Sequence, residues 1–82
     1  MQSNKLHTIF TINNNSIFIE SNMVCSVTIK LLNNSGFIAK KITTTISEGE
    51  NQLYLENLQT GNYFLNAFVG DAFLKCIRFK ML

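Results

Sequence analysis

The chain has 82 residues, which is enough for one domain around one small hydrophobic core. Charged residues make up only 15% of it, and the formal net charge of +2 is spread too thinly to predict a nucleic-acid-binding surface. No apolar run approaches the roughly 18 residues that a membrane-spanning helix needs, and the first residues lack the apolar stretch of a signal peptide. We therefore expect either a cytosolic chain or a piece of a longer protein.

Apolar and polar residues alternate with a period of two, and turn signals recur roughly every 8 to 12 residues, a pattern typical of all-β sandwiches. In chain order, the predicted strands cover residues 7–12, 16–20, 24–32, 37–46, 52–56, 63–69 and 72–81. The third strand is the clearest, because Val27, Ile29 and Leu31 share one face. The alternation predicts a single domain, an immunoglobulin-like antiparallel β-sandwich of about seven strands.

Polar turns separate these strands. The asparagines at residues 13–15 tolerate left-handed geometry and close the first turn. Gly36 ends a second polar turn, residues 47–50 form another, and the Gly70-Asp71 pair fits a two-residue β-hairpin. No segment requires a helix.

Leu58, Gly61 and Tyr63 form a distinct element before the sixth predicted strand. Glycine adopts a positive φ at little cost, so Gly61 lets the chain reverse direction. We expect Leu58 to close the bottom of the core and Tyr63 to be buried with its hydroxyl bonded to a backbone group. The alternative is that Tyr63 anchors a partner.

The order and spacing of these motifs resemble the type A C-terminal sorting domain of the type IX secretion system, a family of the Bacteroidetes. The resemblance covers residues 10–82. It rests on the short strand 16–20, the alternating strand before Gly36, the Leu58, Gly61 and Tyr63 element, the Gly70 hairpin, and the basic final strand. The family's prolines are missing near residues 12–15, and separate basic residues replace its paired lysine.

The resemblance implies a non-enzymatic signal at the C-terminal end of a larger secreted protein. It implies passage through the periplasm, binding by the outer-membrane translocon and its shuttle, removal by a sortase, and a secreted or cell-surface location. Two other interpretations stay open. One is an extracellular adhesion or carbohydrate-binding accessory module whose outward aromatic residues bind sugar; the other is a subunit that self-associates by adding edge strands.

Candidate partner-binding aromatic residues lie on the outward side of the predicted strands. Phe64 and Phe68 have the opposite parity to the core residue Tyr63, and Phe18 is a similar candidate on another strand. Exposed aromatic clusters often mark partner surfaces. The alternative is that a loop or the N-terminal arm covers these rings.

Basic residues concentrate in the final predicted strand at Lys75, Arg78 and Lys80, and parity places Arg78 and Lys80 on its outward face. They either contact an acidic partner or keep an edge strand from pairing with other chains. Deleting residues 80–82 from a secreted fusion is the test that the sequence suggests.

No residue pattern predicts catalysis, a cofactor or a metal site. His7 is the only histidine and has no cysteine or aspartate at ligand spacing. Parity predicts that Cys25 points inward and Cys76 outward, so we expect free thiols rather than a disulfide.

Overall fold

A computed structural model describes residues 5–13 and 15–82 of the chain. These residues form seven β-strands: β1 (Thr8–Asn13), β2 (Ser16–Ser21), β3 (Cys25–Asn33), β4 (Ile38–Ile46), β5 (Gly49–Tyr54), β6 (Gly61–Val69) and β7 (Ala72–Met81). Every hydrogen-bonded pair of strands is antiparallel. Within the described ranges, no helix is long and apolar enough to cross a membrane.

The strands form two sheets that pack face to face. One sheet has the order β1-β2-β5, and the other has the order β4-β3-β6-β7. The chain changes sheet after β2, after β4 and after β5, so neither sheet is built from consecutive strands alone. Each sheet is apolar on one side, and packing these sides together removes them from water. This arrangement of three strands against four confirms the predicted immunoglobulin-like sandwich.

Alternating side chains from both sheets fill the core. The largest side chains below 2% exposure are Ile17 and Ile19 on β2, Val27, Ile29 and Leu31 on β3, Ile46 on β4, and Leu65 on β6. Burying one such aliphatic side chain contributes about 1.5–3 kcal/mol. Sliding a strand by one residue would turn its apolar side chains to water, so this burial also fixes the register of the strands.

The largest difference from the predicted bounds is at β5. The sequence predicts a turn over residues 47–50, whereas β5 begins at Gly49 because Gly49 and Glu50 pair with Ser21 and Glu20 of β2. Pairing with a neighbouring strand is a tertiary interaction that local turn propensity does not report. The predicted extension to residue 56 is also wrong, since β5 ends at Tyr54.

The Asn51 side chain holds the shortened connection between β4 and β5. Its Oδ1 accepts a hydrogen bond from the Ser47 backbone N–H at 2.9 Å, and its Nδ2 donates to the Ser47 carbonyl oxygen at 2.9 Å. The same Nδ2 donates to the Ile19 carbonyl oxygen on β2 at 3.2 Å. One amide therefore ties the loop to the three-stranded sheet.

The other polar turns lie where the sequence predicts them. Gly36 has a φ of +87°, and its backbone N–H donates to the Asn33 carbonyl oxygen at 2.9 Å. Gly70 has a φ of +59°, and Val69 pairs with Ala72, so Gly70 and Asp71 form the predicted two-residue hairpin. Of the two central residues of this turn, only the first, Gly70, has a positive φ, which is the pattern of a type II′ turn. The predicted turn at 13–15 includes residue 14, which lies outside the described residues.

Candidate partner-binding surface

The outer face of the four-stranded sheet carries the two aromatic residues singled out from the sequence. Phe64 and Phe68 on β6 have the opposite parity to the buried residues Tyr63, Leu65 and Ala67, so their rings point away from the core. Both phenylalanines are half-buried. Phe18 also points outward, but it lies on β2 in the other sheet and does not join them.

Phe68 has neighbours on both sides of its ring. The Phe73 ring on β7 meets it edge-on, with centroids 5.6 Å apart, and the Lys30 Nζ lies 5.1 Å from the Phe68 centroid. These are the geometries of an edge-to-face aromatic pair and of a cation–π contact. Side chains of β3 and β7 on the same sheet make both contacts.

Phe73 is the aromatic residue on this face that sequence reasoning missed. The ring is 57% exposed and lies opposite Phe68, although simple parity with Ile77 places residue 73 on the core side. A β-bulge is the cause: Ala67 pairs with Lys75 and Phe68 pairs with Phe73, so Leu74 has no partner of its own. The extra residue reverses the facing of everything before it in β7.

A second bulge has the same effect at the other edge of the sheet. Leu31 pairs with Lys40 and Leu32 pairs with Ile38, which leaves Ala39 without a partner on β3. Ile38 consequently lies on the outer face and is 56% exposed. The two bulges together add one aliphatic and one aromatic side chain to a surface that regular alternation would have left without them.

Regular alternation separates the three basic residues of β7, which all lie after the bulge. Arg78 lies opposite Phe64, and Lys80 lies opposite Asn62, so both point outward. Lys75 lies opposite the buried Ala67, so it points to the other side of the edge strand β7, where it is exposed. The structure therefore places Phe64, Phe68, Arg78 and Lys80 on one face, as parity predicts, and puts Lys75 on another. Their role in binding a partner stays a prediction.

Positive charge gathers on this sheet. The strands of this sheet contain no aspartate or glutamate. They contain six of the seven basic residues of the chain: Lys30, Lys40, Lys41, Lys75, Arg78 and Lys80. Of these, Lys30 and Lys41 are direct cross-strand neighbours on the outer face. Lys40 points to the other side, where its Nζ donates to the Glu56 carbonyl oxygen at 3.1 Å. The six basic residues are far apart in the sequence and are brought together because β3, β4 and β7 belong to the same sheet.

The three-stranded sheet carries the opposite charge. Glu20 on β2 and Glu50 on β5 face each other directly on its outer side, and none of its strands contains a lysine or arginine. Three other outward side chains of this sheet are Ile9, Phe18 and Tyr54. The domain is therefore basic on one broad face and acidic on the other.

The Leu58, Gly61 and Tyr63 element lies at the start of β6, at one end of the four-stranded sheet. The Tyr63 hydroxyl donates to the Gln59 carbonyl oxygen at 2.6 Å, and its ring stacks on Phe79 with centroids 5.7 Å apart. This is the tyrosine corner of immunoglobulin-like domains, and Tyr63 is a buried structural residue as the sequence predicts. Gly61 has a φ of +144°, and Leu58 packs against the core.

The two cysteines are free, as parity predicts. Cys25 is half-buried on the core side of β3, and Cys76 is exposed on the outer face of β7. Among residues 5–13 and 15–82, no three His, Cys, Asp or Glu side chains are grouped so that they could hold a metal ion. The carbohydrate-binding alternative gains no support, because the Phe68 ring already contacts Lys30 and Phe73.

The chain was also compared with known proteins. No curated protein matches it. A family model described as a secretion system C-terminal sorting domain matches residues 8–74, from the first residue of β1 to the bulge in β7. That family consists of sorting signals rather than enzymes, and its tails mark proteins that are secreted or displayed at the cell surface. The chain therefore belongs to the family of type IX secretion system C-terminal sorting domains.

Proposed function

We propose that this domain is recognised as a folded unit by the outer-membrane translocon of the type IX system and so directs an attached cargo out of the cell. The match to the sorting-domain family over residues 8–74 carries this proposal. The core supports it, because side chains from both sheets pack together and hold the two sheets in one arrangement. The outer surface that a receptor would bind is therefore rigid.

A reporter fusion tests the proposal. A signal peptide, an inert reporter and residues 1–82 are joined and expressed in a strain with a type IX system and in its translocon-deficient mutant. We expect the reporter outside the first strain and in the periplasm of the second. A reporter without the domain serves as the control. Equal export from both strains, or export without the domain, contradicts the proposal.

A folding-deficient variant tests whether the receptor binds the folded domain. Ile29→Asp places a carboxylate at a fully buried position of β3, which a domain of this size does not tolerate. We expect this fusion to be retained or degraded in the type IX strain. Export at the wild-type level would mean that a linear segment, and not the sandwich, carries the signal.

We further propose that a sortase removes the domain after export. The exported reporter should then be shorter than the periplasmic precursor by up to the 9.3 kDa of the domain. Mass spectrometry of the two forms measures the difference, and a sortase-deficient strain should keep the domain on its reporter. An exported reporter of full length in the sortase-positive strain contradicts this step alone.

A further inference from the structure

We propose that the outer face of the four-stranded sheet is the docking surface for the translocon, and that its partner is a protein surface lined by carboxylates. This inference rests on the proposed function and adds which face is bound and by what chemistry. We name this surface the basic face. It comprises the outward side chains of β3, β4, β6 and β7, among them Lys30, Leu32, Ile38, Lys41, Phe64, Phe68, Phe73, Arg78 and Lys80.

The first argument is the charge at the centre of the basic face. Lys30 and Lys41 lie directly opposite each other on neighbouring strands, an arrangement in which like charges repel. They line a shallow hollow of about 280 Å³ together with Thr28 and Phe68. One carboxylate, that of Asp71 in the β6–β7 hairpin, also lines the hollow, so this hollow has two cationic side chains and a single anionic one. A partner carboxylate placed here relieves the repulsion.

The second argument is the apolar surface beside these charges. Phe73 and Ile38 are 57% and 56% exposed, and the half-buried rings of Phe64 and Phe68 lie on strand β6 between them. Protein interfaces combine an apolar, aromatic centre with a charged rim. The cation–π contact with Phe68 also holds the Lys30 ammonium group in place before binding, which lowers the entropy lost on forming an ion pair.

A second copy of this domain is a less suitable occupant. Its acidic face offers only Glu20 and Glu50 in strands, against the four outward cations Lys30, Lys41, Arg78 and Lys80. Contact between two different faces of identical chains is also heterologous, so it tends to continue into open filaments. A larger protein with several carboxylates neutralises the basic face without this consequence.

The first test compares two double variants with the same net charge. Lys30→Gln with Lys41→Gln removes two charges from the basic face, and Thr11→Glu with Asn13→Glu adds two carboxylates at exposed positions on the edge strand of the other sheet. Both variants lower the formal charge from +2 to 0. We expect the first to lower reporter export about tenfold, as loss of two ion pairs implies, and the second to leave it within about twofold.

Circular dichroism and thermal unfolding of the purified variants check that both remain folded. If the wild-type fusion is exported and the two variants are exported equally, the basic face is not the docking surface while the proposed function stands. If the wild-type fusion itself is not exported, the proposed function fails. An equal loss for both variants shows a net-charge effect and also overturns this inference.

The second test uses a cysteine that the chain already carries on this face. Cys76 is exposed and lies opposite Asn66, in the same cross-strand row as Lys30 and Lys41. A benzophenone maleimide attached to Cys76 of the purified domain is photoactivated with outer membranes from the type IX strain. The control is Cys76→Ser with Thr11→Cys, which moves the probe to the outer side of the three-stranded sheet.

We expect the Cys76 probe to crosslink a translocon protein, identified by mass spectrometry and missing from membranes of the deficient mutant. The yield should fall when salt is raised from about 0.1 M to about 1 M, which shortens the Debye length from about 10 Å to about 3 Å. Three results overturn the inference: a second copy of the domain as product, a lipid as product, or equal translocon crosslinking from the Thr11→Cys position.

Discussion

Replacing Tyr63 by phenylalanine tests the tyrosine corner with the smallest possible change. The substitution removes one hydroxyl group and leaves the ring, which is 5% exposed, stacked on Phe79. The lost interaction is the 2.6 Å hydrogen bond to the Gln59 carbonyl oxygen, which holds the loop between β5 and β6 against the start of β6. No cavity larger than the hydroxyl itself is created.

The expected cost follows from the surroundings of the two atoms. A protein hydrogen bond contributes about 0.5–1.5 kcal/mol net, and the cost rises to about 1–3 kcal/mol when the remaining partner is left buried and unsatisfied. Gln59 is exposed, so water can reach its carbonyl oxygen once the hydroxyl is gone. We therefore expect Tyr63→Phe to lower the free energy of unfolding by about 1 kcal/mol, and Tm by about 4–8 °C.

Thermal and urea unfolding followed by circular dichroism measure this change. The matched control is Tyr54→Phe, because Tyr54 is 64% exposed and its hydroxyl lies at the surface; we expect a change within about 0.5 kcal/mol. An unchanged Tm for Tyr63→Phe, or an equal loss for both variants, would refute the reasoning. Because the domain remains folded, export of the Tyr63→Phe fusion should be normal; loss of export would instead make Tyr63 a partner anchor.

Three further substitutions and one thiol reagent test other parts of the fold. Ile29→Ala removes a fully buried side chain from β3 and should cost about 2–5 kcal/mol, measured by urea unfolding. Gly61→Ala should lower the free energy of unfolding by about 1–3 kcal/mol through backbone strain, because the φ of Gly61 is +144°. A steric clash does not contribute, since no atom lies within 4 Å of an added Cβ. An unchanged free energy of unfolding would contradict that φ. Asn51→Ala should cost about 1–3 kcal/mol and increase hydrogen exchange in the β4–β5 loop, since it removes two hydrogen bonds to Ser47 and a part-buried one to the Ile19 carbonyl oxygen. A thiol reagent should modify Cys76 quickly and Cys25 slowly in the native protein; rapid reaction of both would contradict the facing of β3.

Alternation was sufficient to predict the sandwich because most strands are regular. Residues two apart share a face throughout β3 and β6, so the buried set there could be read directly from the sequence. The Leu58, Gly61 and Tyr63 element was equally informative, because the hydrogen bond of a tyrosine corner joins residues only four apart in the chain. Both features depend on residues that are close together in the chain, so they could be predicted from the sequence.

Parity places two aromatic and two basic residues of the basic face correctly, but the rest of this face could not be predicted, for two physical reasons. Its cations lie on strands that are distant in sequence and become neighbours only through sheet order, which hydrogen bonding between strands decides. Its most exposed apolar residues, Ile38 and Phe73, precede bulges that reverse their facing. A bulge is one unpaired residue, and no local signal at Ala39 or Leu74 distinguishes it from regular strand. Counting charge strand by strand would have revealed the absence of carboxylates from β3, β4, β6 and β7.

The position of Met81 makes the stability of the sandwich depend on the last residues of β7. This side chain is 4% exposed and pairs across the sheet with Gly61, so residue 81 completes both the core and the last rungs of the β6–β7 ladder. A domain truncated before Met81 has a hole in its interior and leaves the start of β6 without its β7 partners. A shortened tail therefore loses stability as well as charge, so deleting residues 80–82 confounds folding with recognition.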